Sequence, residues 1–291
     1  MALLALVIAI LIERYYHGNQ SIARDKLSSD NWYFAYLRFF EKSLGTKSWY
    51  QGWIKELFEV LLPAVLVFVI FKLFDHGFIA SVIMLGLMVL ILVHAFGPQL
   101  PSKQLQGYFS AMSHDDSQAA YEYAKTYTGK ESENEEQMVK DVTETIFYNI
   151  ESQYFSVAIW FVLLGPAGAL LYRMLLWQQQ ENKLGGVGTK VHYAMEWLAF
   201  RLSALTYLLA GDMARGIEKS KGMFFDLDVS GKELLNVTAT ASMGSYIDGE
   251  EEQEEPSICA SNHCAISLSQ RAGVILFAVI AVATLLGWTF V

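Results

Sequence analysis

The chain has 291 residues, of which 53% are apolar and 18% charged, against about 25% charged in ordinary soluble chains. With a mean hydropathy of +0.28, it reads as a membrane protein rather than a pair of soluble domains. Its 7 Trp, 15 Tyr and 18 Phe exclude low-complexity disorder. The net charge of -9 leaves no basic footprint for nucleic acid, and two cysteines cannot build a disulfide framework or a Cys-only zinc site.

In chain order, Met1–Ile12 is apolar up to Glu13-Arg14. It would cover about 18 Å as a helix, and it lacks a basic leader and a small-x-small cleavage site. It reads as a retained helix over 1–16, inserted partly or fully. Residues 17–56 form a polar segment. A helical hairpin is expected over 57–96, from Leu57–Phe74, with Glu59 and Lys72 near its ends, and the uncharged Phe78–Phe96, joined by Asp75-His76-Gly77. Residues 97–153 form a polar helical region. Within it a helix is expected to begin near Ser113 with Asp115-Asp116 in its first turn, Gly129–Glu136 is an acidic linker, and Val139–Glu151 resumes helical periodicity.

The segment 154–177 is long enough to span, but Gly165-Pro166-Ala167-Gly168 interrupts it. Proline removes a helix donor and glycine weakens the helix, so the segment is a kinked span or a re-entrant hairpin. Region 178–271 is polar, with an amphipathic helix over 193–211 and an acidic linker over 249–256 (GEEEQEEP). Ala272–Val291 is a further uncharged span, with Trp288 placed as an interfacial aromatic. The expected fold is therefore all-α, a multi-pass membrane helical bundle with cytoplasmic helical segments. Residues 13–56 hold seven basic and five acidic residues, whereas 97–153 hold four and ten. The short turn at 75–77 carries no basic residue, so the positive-inside rule places 17–56 and 97–153 in the cytoplasm.

Several clusters carry candidate chemistry. Gly185-Gly186-Val187-Gly188-Thr189-Lys190 is glycine-rich enough to cradle a phosphate, but it lacks the Walker spacing and a preceding strand, and a flexible connector explains it as well. Cys259 and Cys264 flank Asn262-His263 and offer three zinc ligands without a fourth; the other reading is incidental cysteines in a mobile tail. His192 and Glu196 share one helix face, with Arg201 beyond them. They form either a carboxylate–histidine pair with an arginine anion clamp or an interfacial helix with its charges at headgroup level. Arg173 follows a long apolar run, which makes it a ligand candidate or a snorkelling residue. Glu13-Arg14 could be a simple local pair.

Glu13-Arg14, Phe96-Gly97-Pro98, Gly165-Pro166-Ala167-Gly168-Ala169 with Tyr172-Arg173, Glu196-Trp197, Arg201-Leu202 and Ala210-Gly211-Asp212 together resemble the AmpE proteins over most of the chain. The resemblance implies a multi-pass inner-membrane protein of Gram-negative bacteria linked to control of chromosomal β-lactamase and to the AmpD amidase. That family is similar in turn to CobD/CbiB, membrane enzymes of cobalamin synthesis. Against their motifs, Asn149, Gly165, Gly168, Ala169, Tyr172, Arg173 and Arg201-Leu202 match. The acids and amides do not, since Ser152, Leu176 and Gln179 stand in their places.

Without those carboxylates a metal-assisted phosphoryl transfer loses its ligands, so a signalling or accessory protein is expected rather than an enzyme. A membrane synthetase or transferase is the alternative, and a structural subunit of a membrane complex or homo-oligomer is a third reading. The expected ligand site joins Asn149, Tyr172, Arg173, His192, Glu196, Arg201 and Glu13 around the break at Gly165, Pro166 and Gly168. It would take an anionic cell-wall-derived or nucleotide ligand, with no metal and no cofactor, in a protein surrounded by membrane lipids.

Overall fold

The computed structural model describes residues 2–18, 31–47, 49–73, 77–97, 100–244 and 258–287. The acidic segment 249–256, Asp75 and His76 of the hairpin turn, and Trp288 lie outside the described residues. Within them every regular element is helical, with no strand. Two helical runs are long and apolar enough to cross a membrane, one within Glu135–Gln180 and one at Ser261–Leu285; Leu3–Glu13 and Ile79–Ala95 are shorter apolar helices.

The chain divides into two compact units. The first contains α1 (Ala2–Gly18), α2 (Asn31–Leu44), α3 (Trp53–Glu56), a π-helical turn (Leu57–Leu61), α4 (Leu62–Leu73) and α5 (Phe78–Ala95). It also takes residues 156–196 and 280–291. Its centre is α10 (Ser156–Gln180), against which α1, α4 and α5 pack. The largely apolar sequences of α4 and α5 leave many side chains facing outward, including Leu66, Phe68, Ile79 and Ile83, as expected of helices whose surroundings are apolar.

The second unit comprises residues 99–155 and 197–279. It holds α6 (Pro101–Gln104), α7 (Gln106–Ser113), α8 (Ser117–Thr128), α9 (Glu135–Ile150) and a second π-helical turn (Glu151–Phe155). The rest of α11 (Gly186–Ala210), then α12 (Met213–Ser220), α13 (Gly231–Ser242) and most of α14 (Ile258–Leu285) complete it.

Local chemistry explains where several elements begin. The helix expected from Ser113 starts four residues later, because the chain turns at 114–116 with Asp115 at φ +54°. Asp116 is the cap rather than a first-turn residue, its carboxylate accepting the Ala119 amide at 3.0 Å. The 129–134 linker is tied down. Gly129 ends α8 in the left-handed region, the Ser132 hydroxyl donates to the buried Asp141 carboxylate at 2.8 Å, and Asn134 caps α9.

The Cys259–Cys264 stretch, one reading of which was a mobile tail, forms the start of α14, so that helix begins 14 residues before the expected span at 272. There the buried Asn262 accepts from Thr143 at 3.4 Å and the His263 ring stacks on Phe109 with centroids 4.0 Å apart. Likewise α11 extends the helix expected over 193–211 back to Gly186.

Candidate functional site

The break in α10 falls at Gly165, whose φ of 70° and ψ of -164° are non-helical. That region of backbone space is in practice open only to glycine. Pro166 then opens the following stretch of helix, where its missing N–H and fixed φ are tolerated. Gly168 lets the two halves pass closely, since a Cβ there would lie 2.6 Å from the Trp160 carbonyl oxygen and would overlap Leu164.

Downstream of this break α10 carries Tyr172, Arg173, Trp177 and Gln178, all buried. The Arg173 guanidinium carbon lies 5.1 Å from the centre of the Trp177 ring. That ring belongs to an aromatic cluster with Tyr33 at 5.7 Å, His94 at 5.5 Å and Trp32 at 6.3 Å. The Trp32 indole N–H donates to His94 within it. A cation held against a ring face in this way is stabilised by the ring quadrupole.

Tyr172 faces the first half of α11, its ring nearly parallel to that of His192 at 5.8 Å. His192 is 2% exposed. Its Nδ1 is 3.6 Å from a Glu196 carboxylate oxygen one helical turn on, while its buried Nε2 has no hydrogen-bond partner. Burial pushes the imidazole down to about 4, so it is neutral at physiological pH. His192 and Glu196 line a cavity of about 290 Å³ together with Gln179, Asn182, Thr189 and Tyr193. The two residues share a helix face, as their spacing implies, and both line this cavity. Glu13 is buried within the same unit, in α1.

Asn149 and Arg201 belong to the second unit. The Asn149 side chain faces the Tyr127 hydroxyl and opposes the burial that pushes that phenol up to about 12. The Arg201 guanidinium lies 3.8 Å from the Trp197 ring centre. Its Nε donates to the Phe224 carbonyl at 2.8 Å, and its Nη2 to those of Asp226 at 2.6 Å and Val229 at 3.0 Å. Arg201 therefore holds the 223–229 loop against α11. Nearby, Gly211 carries no side chain because a Cβ there would overlap the Ser242 carbonyl, which accepts the Asp212 amide at 2.8 Å.

The glycine-rich stretch 185–188 does receive an anion, but one from the chain itself. The Glu56 carboxylate accepts the Gly188 amide in the first turn of α11, where partial positive charge favours a carboxylate. Sequence reasoning missed this contact, and it placed Glu59 near a helix end able to reach the interface. Glu59 is instead buried in the first π-helical turn. No local signal marks the Glu56 contact, because its partner is a backbone amide 132 residues further along the chain.

A family model described as regulatory signalling modulator protein AmpE matches residues 1–290. The cobalamin biosynthesis protein CobD of Chromobacterium violaceum is 26% identical over 138 residues, covering 44% of this chain and 44% of that protein. The chain thus spans less than half the length of that curated relative. No solved structure matches. With the glycine break, the Tyr172-Arg173 pair and the family pattern all running through one chain from end to end, this protein belongs to the AmpE family of regulatory signalling modulators.

Proposed function

We propose that this protein is a multi-pass inner-membrane signalling component that modulates β-lactamase induction in response to cell-wall stress, with residues 17–56 and 97–153 in the cytoplasm. The family match over 1–290 supports the regulatory role. The ligand-sensing element is the first-unit site at the second half of α10, where His192 and Glu196 line the cavity, Tyr172 lies against His192 and Arg173 packs on Trp177. Arg173 supplies the cation for an anionic cell-wall-derived ligand, and the His192–Glu196 pair orients it. The observation carrying this site is a buried imidazole, 2% exposed, that lines a cavity of about 290 Å³ together with a carboxylate.

The test is complementation of a deletion strain, with β-lactamase read before and after a sub-inhibitory β-lactam. Wild-type protein restores the normal induction curve, while Arg173→Ala and a His192→Ala/Glu196→Ala double variant fail to do so at equal membrane abundance. Full restoration by both variants removes the ligand site, and a deletion that leaves induction unchanged removes the regulatory role. A reporter fused near Gly186 checks the orientation.

The similarity to CobD favours a second reading, a membrane synthetase or transferase. ATP-dependent turnover by the purified protein would establish it in place of the signalling role.

A further inference from the structure

A second polar cavity in the first unit, about 270 Å³, is lined by Arg38, Glu41, Lys55, Glu59, Gln178 and Lys183. It shares no lining residue with the cavity beside His192 and Glu196. One lining residue, Glu59, sits in the π-helical turn Leu57–Leu61, an irregularity frequent at functional sites. Two tyrosines of α2 hold the turn: the Tyr36 hydroxyl donates to the Phe58 carbonyl at 2.6 Å and the Tyr33 hydroxyl to that of Glu59 at 3.3 Å. Gln178, 1% exposed, donates its amide nitrogen to Tyr33 at 2.8 Å and lines the cavity.

The charges are of both signs and only loosely paired. Lys55 Nζ lies 3.8 Å from Glu41 and 3.7 Å from Glu59, too far for a hydrogen bond to either. Glu59 is 6% exposed, so water solvates its carboxylate poorly. Lys183 leans over the Phe34 ring at 4.7 Å and reaches Glu181 at 3.2 Å. Arg38 makes no ion pair among the described residues. A simple anion here would add a like charge beside a buried carboxylate, and a simple cation would add one beside three others. Each would meet groups of its own sign as well as the opposite one, Glu59 being the buried member of a lining whose Glu41, Lys55 and Lys183 side chains are 68%, 40% and 53% exposed. A ligand carrying both charges meets neither objection.

We propose that this cavity binds a small zwitterion with a primary ammonium beside an oxyanion, the ammonium directed to Glu59 and Glu41 and the oxyanion to Arg38 and Lys183. The cavity of about 270 Å³ admits a small group of this kind. Such a group comes either from a free amino acid or from the head of an ethanolamine lipid. The inference does not depend on the regulatory reading, and β-lactamase induction is not its readout.

The test uses the full chain purified in detergent. γ-Aminobutyrate, butyrate and butylammonium present both charges, the negative one alone and the positive one alone on one carbon skeleton. The zwitterion at saturation raises Tm by roughly 5 °C, and the single-charge compounds do not. In parallel, native mass spectrometry of protein released from mixed-lipid nanodiscs reads retention of phosphatidylethanolamine against phosphatidylglycerol. Selective retention of the former identifies the lipid as the source, and a γ-aminobutyrate shift without it identifies a free ligand.

Glu59→Gln weakens zwitterion binding at least tenfold. Arg38→Ala, on the exposed side of α2, does so without risk to folding. The proposal is overturned if butyrate or butylammonium stabilises as much as γ-aminobutyrate. It is also overturned if Arg38→Ala binds like wild type, or if no compound shifts Tm and no ethanolamine lipid is retained.

Discussion

The carboxylate of Glu56 accepts the backbone amide of Gly188, 132 residues further along the chain, and so caps α11 from outside its own sequence neighbourhood. A side chain at Gly185 would overlap this carboxylate, and one at Gly188 would lie 3.3 Å from it. Glu56→Ala is expected to lower stability by about 1 kcal/mol, the usual cost of a lost cap. Glu56→Gln loses less, because it keeps an acceptor. Gly185→Ala costs at least as much as Glu56→Ala by displacing the carboxylate. Thermal unfolding in detergent ranks the three, and a Gly185→Ala protein as stable as wild type would show the contact to be dispensable.

Gly165 tests the break in α10. An alanine at φ 70° and ψ -164° would sit in a region that non-glycine residues occupy at a cost of about 1–3 kcal/mol. Gly165→Ala should therefore lower Tm, whereas Ala167→Gly in the adjoining turn costs only the roughly 1 kcal/mol of helix propensity. If the two were equally mild, the backbone there would be ordinary helix.

Arg201 is expected to act through shape as much as charge. Its fork reaches carbonyls at Phe224, Asp226 and Val229 while its plane covers Trp197, and a lysine cannot reproduce either feature. Arg201→Lys should cost about 2 kcal/mol, with the part-buried carbonyls losing charge-assisted bonds. It should also raise protease sensitivity in the 223–229 loop. Limited proteolysis followed by mass spectrometry locates the cleavage, and an unchanged pattern would contradict this assignment.

His192 makes stability pH-dependent. Its folded value of about 4 lies below the unfolded value of about 6.5, so the unfolded chain takes up the proton first as pH falls. The contribution is fully present above about pH 6.5 and is lost progressively down to about pH 4, amounting to about 3 kcal/mol across that window. Glu196 at 3.6 Å would pull the other way, but burial dominates. His192→Gln should flatten the curve of Tm against pH between 4 and 6.5 and leave the region above pH 7 parallel to wild type. An unaltered slope would show that other groups govern this range.

Much of the helical framework was legible because its causes are local. Apolar length marks α5 and the later part of α14, the Gly165–Gly168 sequence marks the break in α10, and i,i+4 spacing puts His192 beside Glu196. Starts were less legible than existence. Ser113 was expected to open a helix that Asp116 caps, and the CASNHC stretch gave no apolar signal although its Asn262 is buried by Thr143 across 119 residues of chain.

By itself, then, the sequence determined an apolar all-helical chain, a Gly-Pro break and a family pattern, since composition and periodicity act over a few turns of helix. Only the tertiary structure decided what the charged side chains do. Glu56 fills the glycine-rich turn, Arg201 is given to backbone carbonyls, and Glu59 is folded under two tyrosines into a cavity that no motif marks. These outcomes depend on which distant segment supplies the partner for each buried polar group. That choice is made by packing, because an unpaired polar group in a low-dielectric interior is too costly to leave.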